Sequence, residues 1–191
     1  GEIAAVCVDN VWVRFTLTAG GNRILQRCAI EKERVGAPVR IARMPWINPV
    51  SLPGAVKHGC RAAWILAARQ KGVDEVFLVD DKGMILEANR SNVFAVRGQE
   101  LWTPPLDGRL LAGVTREALI QAAGEAGIPV REEPLPIDGD FDELYLASTL
   151  KELAPVSRLD DRELPVGGPV GAVLLTAFRR LIERETGMKL L

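Results

Sequence analysis

The sequence predicts a mixed α/β domain with largely antiparallel strands. Three observations carry this. Short β-branched apolar runs alternate irregularly with helical segments, tight turns separate several of those runs by only a few residues, and the chain closes on an amphipathic helix. A doubly wound parallel sheet would instead require a long crossover between most strands.

Taken in order, Ala4–Thr18 contains Val11-Trp12-Val13-Arg14-Phe15-Thr16-Leu17, whose alternation suits a half-buried strand. Ala19-Gly20-Gly21-Asn22 is a turn. Val39–Met44 reads as a strand, and Pro45, Pro49 and Pro53 then punctuate a loop that leads to Lys57. Arg61–Lys71 has helical spacing, with Ala63, Leu66 and Ala67 on one face and Gly72 as the stop. Glu75–Val79 and Met84–Glu87 form a hairpin about Asp80-Asp81-Lys82-Gly83, and Asn92–Val96 and Glu100–Thr103 form another about Arg97-Gly98. A helix fits Thr115–Ala126, closed by Gly127. Val130–Glu133, Glu143–Ala147 and Val156–Leu159 read as strands. In the last helix, Val170–Glu185, residues Val173, Leu174, Ala177, Phe178 and Leu181 mark the apolar face.

Composition narrows the function. The 191 residues are 48% apolar and 26% charged with a net charge near −1, so no basic field points to nucleic acid. No apolar run reaches the roughly 18 residues of a membrane helix. Cys7, Cys28 and Cys60 are odd in number and widely spaced, which argues against a disulfide framework or a zinc site and suits a reducing cytoplasm. A single histidine, His58, leaves little for a metal centre. Chemistry is expected to run on lysine, carboxylates, hydroxyls or a cofactor.

Four features could carry it. Lys57 follows the apolar stretch Val50–Val56; a desolvated lysine is a usable amine nucleophile, although read alone it is a surface lysine ahead of a helix. Glu87 ends a strand and could pair with a pyridinium nitrogen, or simply close a turn. Leu110-Leu111-Ala112-Gly113-Val114-Thr115-Arg116 opens a helix behind a glycine, which suits an anion site or an ordinary threonine cap. Ser148 and Thr149 end a strand, with Thr149 and Glu152 at capping-box spacing; the spacing fits a phosphate contact and a cap equally. In this order, a lysine, an acid and two anion-ready hydroxyl sites are the parts that a pyridoxal-phosphate site needs.

The segments Glu87–Phe94, Thr103-Pro104-Pro105-Leu106, Gly113–Arg116, Ser148-Thr149 and Ala154-Pro155-Val156 together resemble the class IV (fold-type IV) pyridoxal-phosphate enzymes. These include branched-chain and D-amino-acid aminotransferases and 4-amino-4-deoxychorismate lyases. The resemblance implies the D-amino-acid-aminotransferase-like fold, mainly its large domain. Residues 51–191 would form that cofactor domain, and 1–50 the end of a smaller N-terminal domain and the link, with most of the smaller domain lying outside this chain. It implies pyridoxal 5'-phosphate as cofactor and Lys57 as the Schiff-base lysine and proton carrier. Glu87 matches the partner of the ring nitrogen, and Leu111 the residue against the ring. Val114, Thr115 and Thr149 match phosphate contacts, and Ser148 and Leu150 contacts to cofactor or substrate carboxylate. A homodimer is implied by the resemblance alone. Lys57-His58 with Arg61 resembles the lyases, while Ser148-Thr149 resembles the D-amino-acid aminotransferases. The expected activity is amino transfer from an amino acid to a 2-oxo acid. Release of pyruvate and p-aminobenzoate is the alternative, and a scaffold without chemistry the rival from another class.

Overall fold

In the computed structural model, residues 11–46 and 53–187 are described. The first part of the Ala4–Thr18 strand, Pro49 and the run Val50–Leu52 fall outside them. Strands β1 (Val11–Leu17) and β2 (Arg23–Ala29) pair antiparallel as a separate two-stranded sheet. The turn between them is the expected one, with Thr18 Oγ1 accepting from the Asn22 amide at 3.0 Å. The strand β2 was not expected: its Arg23, Gln26, Arg27 and Cys28 mask the period-2 pattern, and pairing with β1 rather than burial holds it.

The main sheet has ten strands: β3 (Val39–Pro45), β4 (Glu75–Val79), β5 (Met84–Ala88), β6 (Asn92–Arg97), β7 (Glu100–Thr103), β8 (Val130–Glu132), β9 (Leu135–Pro136), β10 (Glu143–Ser148), β11 (Glu152–Leu159) and β12 (Arg162–Glu163). Its path runs β8-β7-β6-β10-β11-β3-β4-β5-β9, with β12 attached to β11. Among the described residues only β3 with β4, β3 with β11, and β7 with β8 pair in parallel, so the antiparallel expectation holds. β5 and β6 are far apart along this path, yet only Asn89, Arg90 and Ser91 separate them in sequence. The sheet therefore curls round on itself.

Curling explains the apolar runs. Phe77 and Val79, Val93 and Ala95, and Leu144 and Leu146 point to the interior of the curl. Their neighbours Phe94, Val96, Tyr145 and Ala147 point outward under two helices, α2 (Val114–Glu125) and α3 (Pro169–Thr186). Val76 and Leu78 point outward under α1 (Ala62–Gln70). Strands covered on both faces lose the polar alternation of a half-exposed sheet.

The helices differ from expectation in their faces. Helix α1 buries Ala68 and packs Trp64 and Ala67 against the sheet, while Ala63 and Leu66 are exposed. In α3, Val170, Leu174, Phe178 and Leu181 are buried and Val173 is exposed. Glycine stops α1 and α2 as expected: the Gly72 amide reaches Arg69 O and the Val73 amide Ala68 O, and Gly127 and Ile128 repeat the pattern on Gly124 and Ala123. Both glycines have positive φ, +64° and +72°. Among the described residues no helix is long and apolar enough to cross a membrane.

Candidate active site

One cleft gathers residues that lie far apart in sequence. It is lined by the Lys57 segment, the end of β5, the β5–β6 turn, the start of α2 and the end of β10, and encloses about 440 Å³ including its open mouth. Lys57, Glu87, Leu111, Val114, Thr115, Ser148 and Thr149 all line it; Leu150 does not, and is exposed on the β10–β11 turn.

Lys57 lies in irregular chain ahead of α1 and is exposed, rather than carried into the core. Neighbouring contacts hold its segment. A Cβ on Gly54 would stand 2.1 Å from the carbonyl oxygen of Arg109, so this glycine lets the segment lie directly on the loop before α2. On the other side Arg61 donates from Nη1 to the Asn89 carbonyl at 2.7 Å and from Nε to the His58 carbonyl at 3.2 Å. In the sequence Arg61 bears on the site only through its resemblance to the lyases; here its guanidinium ties the lysine segment to the β5–β6 turn and itself lines the cleft.

Glu87 is the last residue but one of β5, its carboxylate partly buried, and its Oε2 accepts the Leu111 amide at 3.2 Å. Burial pushes its pKa up to about 7. The Leu111 N–H and the charges of Arg61 and Lys57 pull against that rise, and Glu75 adds to it. The same Leu111 is fixed from its other side, where Asn92 Nδ2 donates to the Leu111 carbonyl at 2.9 Å.

Helix α2 starts one residue earlier than expected. Its N-cap is Gly113, with no side-chain cap, so Thr115 is not the cap that the sequence also allowed. A Cβ at Gly113 would lie 2.1 Å from Asn92 Oδ1, so a larger residue there would displace the Asn92 amide from its bond to Leu111. The first-turn N–H groups and the positive end of the helix dipole thus border the cleft beside the buried Thr115. A helix start without a cap is a ready anion site.

At the fourth feature the capping box does not form. Ser148 pairs with Glu152 across a tight turn, with the Lys151 amide on the Ser148 carbonyl at 3.1 Å, and a strand follows instead of a helix. Glu152 adopts φ +54° and its carboxylate accepts from Arg179 Nε at 2.7 Å. Arg90, Ser91 and Asn92 also line the cleft. They fall in Glu87–Phe94, a segment that carries the resemblance, but within it the sequence assigns a role only to Glu87 and reads Asn92 as the start of a strand. His58 is half-buried with its ring 6.0 Å from that of Trp64, and its Nδ1 is buried without a partner.

A second depression, lined by Arg43, Asp138, Asp160, Asp161 and Arg162, lies on other strands. Arg43 already pairs there with Asp138 and Asp160, so it offers no lysine, hydroxyl or helix start to a ligand. Among the described residues no cluster of histidine, cysteine or carboxylates is arranged to hold a metal ion.

Residues 24–159 match the family model for amino-transferase class IV. A branched-chain-amino-acid aminotransferase of Escherichia coli strain K12 is 35% identical over 146 residues, covering 72% of this chain and 47% of the relative. The chain spans about half the length or less of the curated relatives it matches most strongly. Among solved structures, a branched-chain aminotransferase from Thermoproteus uzoniensis with norvaline superposes with a TM-score of 0.73 at 29% identity, over 85% of this chain and 58% of that one. An aminotransferase from Brucella abortus bound to the cofactor PLP gives a TM-score of 0.77 at 25% identity, over 98% and 73%.

Proposed function

The chain belongs to the class IV aminotransferases, and from that premise we propose that its cleft holds pyridoxal 5'-phosphate and moves an amino group from an amino acid to a 2-oxo acid. The observation that carries this is the meeting of Lys57, Glu87, Thr115 and Thr149 in one cleft beside an uncapped helix start.

The residues present fit the group. The start of α2, where a Cβ on Gly113 would displace the Asn92 amide, suits a phosphate held by backbone N–H groups, with the Thr115 and Thr149 hydroxyls beside it. Glu87 stands where a carboxylate can accept a hydrogen bond from a protonated ring nitrogen, and Leu111 lies beside it. When bound, the cofactor supplies an electron sink for charge developing at the substrate Cα. Lys57 Nζ would hold the cofactor covalently and, once released by the incoming amine, take and return the proton at that Cα. An exposed lysine on an irregular segment has the freedom this exchange needs. Ser148, at the end of β10, would orient a carboxylate; Leu150 lies outside the residues that line the cleft.

The names of the curated relatives support branched-chain amino acids as donors, and the lyase reading is not favoured. A homodimer is part of the same reading, supported by the apolar Ile65 and Leu66 left exposed on α1. The free thiols of Cys28 and Cys60 suit a reducing, cytoplasmic setting.

The test is direct. The protein loaded with pyridoxal phosphate should be yellow, and borohydride reduction should attach the cofactor to Lys57, located by peptide mass spectrometry. Lys57→Ala should lose both signals and amino transfer from branched-chain amino acids to 2-oxoglutarate. Absence of colour, or a label on another lysine, overturns the reading.

A further inference from the structure

Glu75 has no part in the chemistry above, yet its carboxylate is fully buried at the first position of β4. It gathers three close donors from two turns, and the Arg90 guanidinium adds a longer ion pair, Nε to Oε1 at 3.9 Å. The Ser91 hydroxyl reaches Oε1 at 3.0 Å, and the Arg90 amide reaches Oε2 at 3.0 Å, both from the β5–β6 turn. The Lys151 ammonium, from the β10–β11 turn, lies 2.5 Å from Oε1. Neither turn follows β4 directly, and β4 pairs with neither β6 nor β10. Both turns line the cleft, the first through Arg90 and Ser91 and the second through Ser148 and Thr149.

A buried ion pair is poor evidence for stability, because desolvation offsets the attraction and an apolar pair of similar volume can serve as well. Its stronger effect is geometric. Lys151 stands two residues beyond Thr149, and its side chain is the turn's direct tie to β4. The other restraints are the bond from the Lys151 amide to Ser148, that from the Gly36 amide to the Lys151 carbonyl at 3.1 Å, and the Ser148–Glu152 pairing with Arg179 on Glu152 at the turn's ends.

We propose that Glu75 and Lys151 form a positioning pair that fixes the Ser148–Thr149 turn against the β5–β6 turn and so sets the phosphate side of the cleft. The proposal rests on the cofactor reading given above. The pair touches no ligand; it acts through Thr149 and Ser91. A phosphate contact displaced by a fraction of an ångström loses much of its value, whereas a stable fold tolerates the change.

Three variants separate positioning from stability: Lys151→Met, the double variant Glu75→Gln/Lys151→Met, and Lys151→Arg. Affinity for pyridoxal phosphate and for pyridoxal, which lacks the phosphate, is measured by visible titration, alongside the melting temperature of the ligand-free protein. Lys151→Met should weaken pyridoxal phosphate binding about ten-fold, leave pyridoxal binding unchanged and lower the melting temperature, because it takes the nearest countercharge from a buried carboxylate that keeps Ser91 and Arg90. The double variant should recover the melting temperature but not the affinity, and Lys151→Arg should recover most of both. Wild-type affinity for pyridoxal phosphate in the double variant, or an equal loss for pyridoxal in Lys151→Met, overturns the proposal. Hydrogen exchange of the amides of residues 149–151, measured without cofactor, gives a reading independent of ligand. Faster exchange in the double variant is expected, and unchanged exchange overturns the positioning role. Failure of the wild type to bind pyridoxal phosphate would instead count against the proposed function.

Discussion

At Glu87, burial and hydrogen bonding act in opposite directions. Burial raises its pKa to about 7, from an ordinary 4.5, against the pull of the Leu111 amide, Arg61 and Lys57. Below about pH 4 the group is protonated in folded and unfolded chains alike and leaves stability unchanged. As pH rises from about 4.5 to 7 the unfolded chain releases its proton first, so stability falls; above about 7 the loss is complete. Glu87→Gln removes this dependence. In urea denaturation of the ligand-free protein, the variant should match the wild type near pH 4 and exceed it near pH 8 by up to about 3 kcal/mol, at roughly 1.4 kcal/mol for each pH unit between the two pKa values. A difference independent of pH would show that Glu87 is not held in its protonated form by the fold. This group was legible in the sequence as a strand-end acid. Its partners were not, because Leu111 and Arg61 reach it only through the fold.

At the scale of elements, α3 shows a helix start served from another element. Its N-cap, Gly168, offers no side chain, and instead Glu143 of β10 accepts the amides of Val170 at 3.1 Å and Gly171 at 2.8 Å. The Tyr145 hydroxyl donates to the same carboxylate at 2.5 Å. Burial, and then the hydrogen bond to Glu143, keep that phenol protonated well above its usual range. Glycine is required for steric reasons: a Cβ on Gly168 would meet the Glu143 side chain at 2.3 Å, and one on Gly171 the Tyr145 hydroxyl at 1.9 Å. Glu143→Ala should lower stability by about 1–3 kcal/mol, the range for stranding buried donors, as read by chemical denaturation. Combined with Tyr145→Phe, the loss should fall short of the sum, because both changes remove the same hydrogen bond. Full additivity would show that the two groups act separately. The sequence placed this helix to within a residue at each end, since Pro169 and Gly187 punctuate it. It missed the cap, which comes from 25 or more residues upstream.

For the whole molecule, β3 decides whether the curled sheet holds together. It lies between β11 and β4 and pairs in parallel with both, itself more than 100 residues from β11 along the chain. Ile41, at 0% exposure, points into the interior cluster from that strand. Ile41→Ala should lower stability by about 2–5 kcal/mol, the range for such truncations in a closed core. It should do so in one cooperative transition seen alike by tryptophan fluorescence and circular dichroism. Two separate transitions would mean that the two halves of the sheet fold independently.

By itself the sequence determined which segments become strands and helices over most of the described chain, because apolar period and glycine or proline punctuation are local signals. It also supplied the order of lysine, acid and hydroxyls from which a cofactor site could be expected. The tertiary structure alone decided which faces are buried, since a sheet that curls on itself buries both sides of its strands and overrides the alternation a single strand shows. It alone brought Lys57, Glu87, Thr115 and Thr149 to one cleft and left Leu150 outside. It also placed Glu75 behind that cleft, where long-range pairing, and not spacing along the chain, fixes its partners.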